Sequence, residues 1–297
     1  MGVKELPVRE EVLESIDPAP KLGKILQVFE GREHEDTNTK ILSDPREFFK
    51  RTFITRNMIE LFEKVLDGFE GKGKRVFALH SFYGGGKTHM ILALLHAFRD
   101  PDALLDREVV KDLDNKTRAR LEEVVKRIKG IKVKVVPFAG EISEFSGSPL
   151  NPTSVGSHSY RTLWGYLAHK LGKFEEYAEA DRTLTAPQQD AIKKMFKGER
   201  VLFIFDEVFD YLINFVGGEY RSYAMTVINF MEYFISAVSE SSSVAVIALP
   251  VDTSGQMDYR YQALSEGELD KLNRSLWNAL KNHAEFIEPV SYTHIRA

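Results

Sequence analysis

The chain has 297 residues, 43% hydrophobic and 28% charged, a balance that suits one large folded domain or two small ones with a sizeable core. Its net charge of −4 excludes a globally basic nucleic-acid surface, and the absence of cysteine excludes disulfides and thiolate metal sites. The N-terminal "MGVKELPVREEV" lacks the apolar run of a secretory signal, and nothing approaches about 18 consecutive apolar residues, so a cytoplasmic protein with no membrane partner is expected.

Residues 1–42 are polar and contain "DPAP"; they read as an irregular arm with at most a short helix around Lys21 to Phe29. Residues 43–73 read as a helical lead-in. Asp44 is the expected N-cap of a first helix, with Pro45 in its first position and Glu47 in its third. Thr55 starts a second, in which Ile59, Phe62, Val65, Leu66 and Phe69 recur at helical spacing until glycines 68, 71 and 73 end the run. "RVFALH" is a first strand, and "KTHMILALLHAF" a helix apolar nearly all round and therefore buried. A charged helix is expected over Arg107 to Lys129, and a second strand over Ile131 to Ala139. A Ser/Gly/Pro-rich loop follows, then a helix in "YRTLWGYLAHKLG", another before Lys197, and a third strand in "RVLFIFDE". A long helix from Tyr220 to Val238, a fourth strand in "SVAVIALP", a helix near Leu269 to Leu280 and a possible fifth strand in "AEFIEPV" complete the order. Strands alternating with helices predict a three-layer α/β/α domain over residues 43–290, with a mainly parallel five-stranded sheet.

The chemistry concentrates in "HSFYGGGKTHM". A phosphate-binding loop reads Gly-x-x-x-x-Gly-Lys-Ser/Thr, and Ser81 stands where the first glycine belongs. Glycines before a helix also make bare turns, but a bare turn needs neither Lys87 nor Thr88. The backbone N–H groups of Gly84, Gly85, Gly86, Lys87 and Thr88 are expected to cradle phosphate oxygens at the helix start. Lys87 would reach the β/γ-phosphates and the Thr88 hydroxyl would ligate Mg²⁺. The nucleotide-binding segment is thus Ser81, Tyr83 and Gly84 through His89, with His89 given a packing or hydrogen-bonding role. A small residue at Ser81 can still make the turn out of the sheet.

"VLFIFDE" supplies the second half of a P-loop NTPase site. Adjacent carboxylates at the end of a buried strand are costly without a cation, and Mg²⁺ near Thr88 offsets that cost. Asp206 is the expected metal acid, acting through water, and Glu207 the residue that polarises an attacking water. The Asp-Glu pair favours hydrolysis over transfer to a hydroxyl acceptor.

Five strands in this order, with the loop after the first and Asp-Glu after the third, resemble the AAA+ group of P-loop ATPases. The resemblance implies a polar sensor residue after the fourth strand, a place held here by Asp252, Thr253 and Ser254, with Thr253 taken as the candidate. "DPREFFKRTFITRNM", "SFYGGGKTHMILALLHAF", "RTLWGYLAHKLG", "VLFIFDEVFDYL" and "VAVIALPVD" are similar, from about Leu42 to Val290, to a family of archaeal and bacterial proteins. Its members are described as predicted AAA+ ATPases or as a domain of unknown function, and "GGGKTH" is one of its features. They are often encoded beside DNA methyltransferases, some in phage-defence clusters. The resemblance therefore implies ATP and Mg²⁺, and DNA reached through a partner methyltransferase or defence complex. AAA+ proteins carry a helical lid after the fifth strand, whereas this chain ends in "EPVSYTHIRA". Residues 291–297 read as a short tail, with the lid absent and Arg296 not its arginine; a homo-oligomer is expected only where the lid is present.

Weaker candidates remain. The loop Glu141 to Ser159 occupies the place of a substrate loop, where Phe145 and His158 are candidate polymer contacts and a mobile surface loop is the plainer reading. Arg274, before the last strand, is a candidate finger for a neighbouring γ-phosphate, against a solvated charge. The basic "KRIKGIKVK" reads as solvated, and the histidines lack metal-ligand spacing. Beside Mg²⁺-dependent ATP hydrolysis stand two alternatives: a nucleotide-gated scaffold that hydrolyses little, and a small-molecule kinase.

Overall fold

The computed structural model describes residues 21–82, 84–140, 146–258, 261 and 267–289. The first helices are α1 (Leu22–Phe29), α2 (Thr37–Ser43), α3 (Pro45–Arg51) and α4 (Arg56–Phe69). Residues 22–43 therefore depart from the expected irregular arm: α1 is the short helix anticipated, α2 is an addition, and Leu22, Ile25 and Leu26 are buried in the common core. The Asp36 carboxylate caps α2 through the N–H groups of Asn38 and Thr39. Asp44 caps α3 by accepting from Arg46 and Glu47, both at 2.9 Å, and Thr55 caps α4 by accepting from Met58 at 3.2 Å.

Then come β1 (Val76–His80), α5 (Lys87–Arg99), a 3₁₀ turn, α6 (Arg107–Val110), α7 (Asn115–Lys129) and β2 (Lys134–Ala139). The single charged helix expected over 107–129 is divided because Asp114 turns out of the helix and caps α7 through Lys116 and Thr117. Next are β3 (Thr153–Val155), β4 (His158–Tyr160), α8 (Leu163–Lys170), α9 (Phe174–Arg182), α10 (Gln189–Met195) and β5 (Val201–Asp206). The order closes with α11 (Val208–Ile213), α12 (Arg221–Ser239), β6 (Val244–Leu249), α13 (Glu268–His283) and β7 (Ala284–Ile287).

Five strands form one parallel sheet in the order β2-β5-β6-β1-β7. β1, β5 and β6 are buried at every position, which requires cover on both faces. From β1 the chain crosses to the far edge at β2, returns through β5 and β6, and passes to the other side of β1 as β7. Right-handed crossovers in opposite directions place their helices on opposite faces. α5 packs with α3, α4 and α7, and α13 with α12 and β7. Such a reversal of strand order leaves a crevice at the carboxyl ends of the strands, where ligands of parallel α/β sheets bind.

The expected loop after β2 departs from its reading: from Thr153 to Tyr160 it is a β3–β4 hairpin in a separate two-stranded sheet. Glu141 and Phe145 lie outside the described residues. No helix among the described residues is long and apolar enough to cross a membrane.

Candidate functional site

β1 delivers the chain to the carboxyl edge of the sheet, where Ser81 N–H makes a last contact with the Leu249 carbonyl at 3.5 Å. The loop then turns through Gly84 and Gly86, both with φ of +77°, a backbone region that side chains other than glycine rarely adopt. Gly86 caps α5 without a side chain, and the first turn of α5 carries no acidic residue. The leading N–H groups of that buried helix therefore lack an intrahelical acceptor and a compensating charge, the local condition for anion binding.

Ser81 is accommodated by Gly85: a Cβ at Gly85 would stand 2.1 Å from the Ser81 Oγ. The Lys87 ammonium crosses the loop, donating to the Ser81 carbonyl at 2.6 Å, the Phe82 carbonyl at 3.1 Å and the Ser81 hydroxyl at 3.3 Å. Tyr83 lies outside the described residues.

β5 brings Asp206 to the same edge, 2% exposed. Burial raises its carboxyl pKa from 3.8 to about 6; the neighbouring Thr88 hydroxyl, the Lys87 charge and the Glu207 N–H pull it back, and Asp210 pushes it up. Oδ1 accepts from Glu207 N–H at 3.1 Å, whereas Oδ2 is buried with no hydrogen-bond partner. Unpaired buried carboxylate oxygens are rare. A hard divalent cation fits this set: an orphaned acid oxygen, an adjacent hydroxyl and a proton that a cation would displace. Among the described residues no cluster of three or more His, Asp or Glu side chains is placed to hold a metal unaided.

Glu207 follows with φ 55° and ψ 35°; Leu184 is the other described non-glycine residue with positive φ. Such a conformation costs about 1 kcal/mol or more and persists where the surroundings enforce it.

A family model, the DUF499 N-terminal domain, matches residues 1–286. The chain belongs to this family. No curated protein and no solved structure matches it.

The structure of this DUF499 domain brings Lys87, Thr88 and Asp206 together. The His89 ring turns away from the loop, to the Thr52 hydroxyl at 3.2 Å and the Phe48 ring at 4.9 Å, and burial lowers its pKa. Its side chain thus packs and hydrogen-bonds against α3. Thr253 is exposed beyond β6 and lines a cleft of about 570 Å³ with His80, Trp277, Lys281, Phe286 and Glu288. Arg274 is exposed on α13 and lines an adjoining cleft of about 520 Å³ with Ser254, Asp270 and Asn273. His158 packs inward, 3.1 Å from the His169 ring nitrogen and stacked on Phe174. Within the basic segment Arg127 bonds Asp67 and Glu70, and Lys129 bonds Asp102. Arg296 lies outside the described residues.

Gly140, one residue beyond β2, escaped the sequence reading. Its N–H reaches the Asp206 carbonyl at 2.8 Å. The signal available was a glycine directly after a strand, in "PFAG"; its partner, 66 positions away by residue number, carries no local mark.

Proposed function

We propose that this domain binds ATP at Gly84 to Thr88 and hydrolyses it with Mg²⁺, as an AAA+-like ATPase. The observation that carries the reading is the buried, unpartnered Asp206 carboxylate oxygen beside Thr88 and Lys87, at the uncapped start of α5. The loop amides would receive phosphate oxygens, and Lys87 would exchange the Ser81 and Phe82 carbonyls for the β/γ-phosphates. Thr88 and Asp206 would hold Mg²⁺, which supplies neutralisation of phosphate charge when bound. Glu207, at the end of the same strand, would take the proton of an attacking water on its carboxylate.

Phosphate release by wild type, Lys87→Ala and Glu207→Gln tests this. Wild-type turnover should exceed both variants by on the order of 100-fold or more, with nucleotide binding kept in Glu207→Gln. Wild-type turnover no higher than the variants would contradict it. The alternative, a nucleotide-gated scaffold, has as its signature tight binding with negligible turnover in wild type.

Service in a DNA-associated defence or modification assembly rests on the resemblance alone. Adding double-stranded DNA to the same assay should raise the rate; an unchanged rate would count against direct DNA coupling.

A further inference from the structure

Two backbone features meet at the acid pair. Glu207 sits in the left-handed region, and Gly140 extends the β2–β5 ladder by one hydrogen bond, N–H to the Asp206 carbonyl at 2.8 Å. A Cβ at Gly140 would stand 1.6 Å from the Glu207 carbonyl oxygen and 2.3 Å from its carbonyl carbon. No side chain other than hydrogen fits there without moving backbone. Gly140 itself does not have a left-handed φ, so the position needs glycine for space and not for conformational freedom. The same Glu207 carbonyl accepts the Tyr211 N–H at 3.2 Å and so starts α11. Tyr211 in turn donates its hydroxyl to the Gly147 carbonyl at 3.1 Å and shares a 2.7 Å bond with the Tyr223 hydroxyl. Gly140 and Gly147 are thus both tied to the stretch that carries Glu207, one to the Asp206 carbonyl and one to Tyr211, a turn further along.

We propose that Gly140 is a positioning residue for hydrolysis: its missing side chain lets the end of β2 close on the Glu207–Val208 peptide and fixes the direction in which the Glu207 carboxylate leaves the backbone. This rests on the hydrolysis reading, with Glu207 as base. A methyl group at position 140 must displace that peptide. Glu207 then relaxes toward ordinary dihedrals and its carboxylate leaves the water it serves, and a misplacement of about 1 Å is worth about 100-fold in rate. The phosphate-facing groups sit on the β1–α5 loop, outside the displaced peptide, so nucleotide binding measured without Mg²⁺ is spared.

The test is a double-mutant cycle in the full chain, reading kcat, KM and labelled-nucleotide Kd with thermal melting as the control for folding. Gly140→Ala should lower kcat by roughly 30- to 100-fold while the Kd measured without Mg²⁺ moves less than about 3-fold. In the Glu207→Gln background the same substitution should cause no further loss. A full multiplicative loss in that background, or a Kd that weakens in step with kcat, would overturn the proposal. If Gly140→Ala does not fold, Tyr211→Phe replaces it, removing the hydroxyl ties and keeping the ring. It should lower kcat several-fold beside Glu207 and leave the Glu207→Gln rate unchanged, and equal loss in both backgrounds would overturn the idea. Wild type no faster than Lys87→Ala would instead remove the hydrolysis reading itself, and the positioning role with it.

Discussion

Serine at position 81 survives in the loop because position 85 has no side chain. The Ser81 hydroxyl occupies the space that a Gly85 Cβ would need, and there it receives the Lys87 ammonium. Gly85→Ala should therefore weaken nucleotide binding by at least about 10-fold, since the loop must open to admit the methyl group. Ser81→Gly should recover part of that loss in the double variant, because the contact to the Phe82 carbonyl at 3.0 Å remains. Titration with a fluorescent nucleotide measures both, and a double variant no better than Gly85→Ala would separate the two positions.

Asp206 makes a second residue-scale case. Its folded pKa, about 6, lies above the ordinary 3.8, so folding favours the protonated acid. The stability this contributes is complete below pH 4 and is lost as pH rises through about 6, at a cost on the order of 2–3 kcal/mol above that range. Asp206→Asn should melt higher than wild type at pH 8 without divalent cation or nucleotide, and the gap should close at pH 4. Mg²⁺ should then raise the melting temperature of wild type and not of the variant at pH 8. A variant that melts lower than wild type at pH 8 would contradict this account of the burial cost.

At the scale of elements, legibility followed length and local chemistry. β1, β5 and β6 read as strands because double-sided burial writes a continuous apolar run of four to six residues. α3 and α4 announced themselves through Asp44 and Thr55, whose capping bonds are present as expected. The β3–β4 hairpin and α2 were hidden because three residues per strand and seven per helix are too few to show a period. The start of α7 at Asn115 was legible in principle from the Asp114 cap, but the surrounding run of charge masked it. At the site, Lys87, Thr88 and Asp206 were visible because each sits at a fixed offset within a strand–loop–helix or strand-end motif. The left-handed Glu207 and its contact with Gly140 were not, since both arise from packing β2 beside β5 across a long stretch of chain.

At the scale of the whole molecule, strand order makes a site from distant segments. β6 lies between β1 and β5, so the loop leaving β1 and the acids ending β5 emerge on one edge of the sheet, two strands apart. The N-terminal helices brace this edge from the α5 side: Thr52, after α3, contacts His89 in the first turn of α5, and His96, further along the same helix, reaches the Leu42 carbonyl at 2.9 Å. Asn57 of α4 donates to the Glu288 carbonyl beyond β7, at 2.9 Å. The lead-in helices thus tie α5 to the edge of the sheet beyond β7.

The central claim, that Gly84 to Thr88 with Asp206 form a nucleotide-phosphate and metal site, is tested most directly by equilibrium titration of labelled ATP with and without Mg²⁺. Wild type should bind saturably and more tightly with Mg²⁺, and Lys87→Ala should weaken binding by about 10-fold or more, equivalent to about 1.4 kcal/mol. Equal affinity of wild type and Lys87→Ala, with no response to Mg²⁺, would contradict the account.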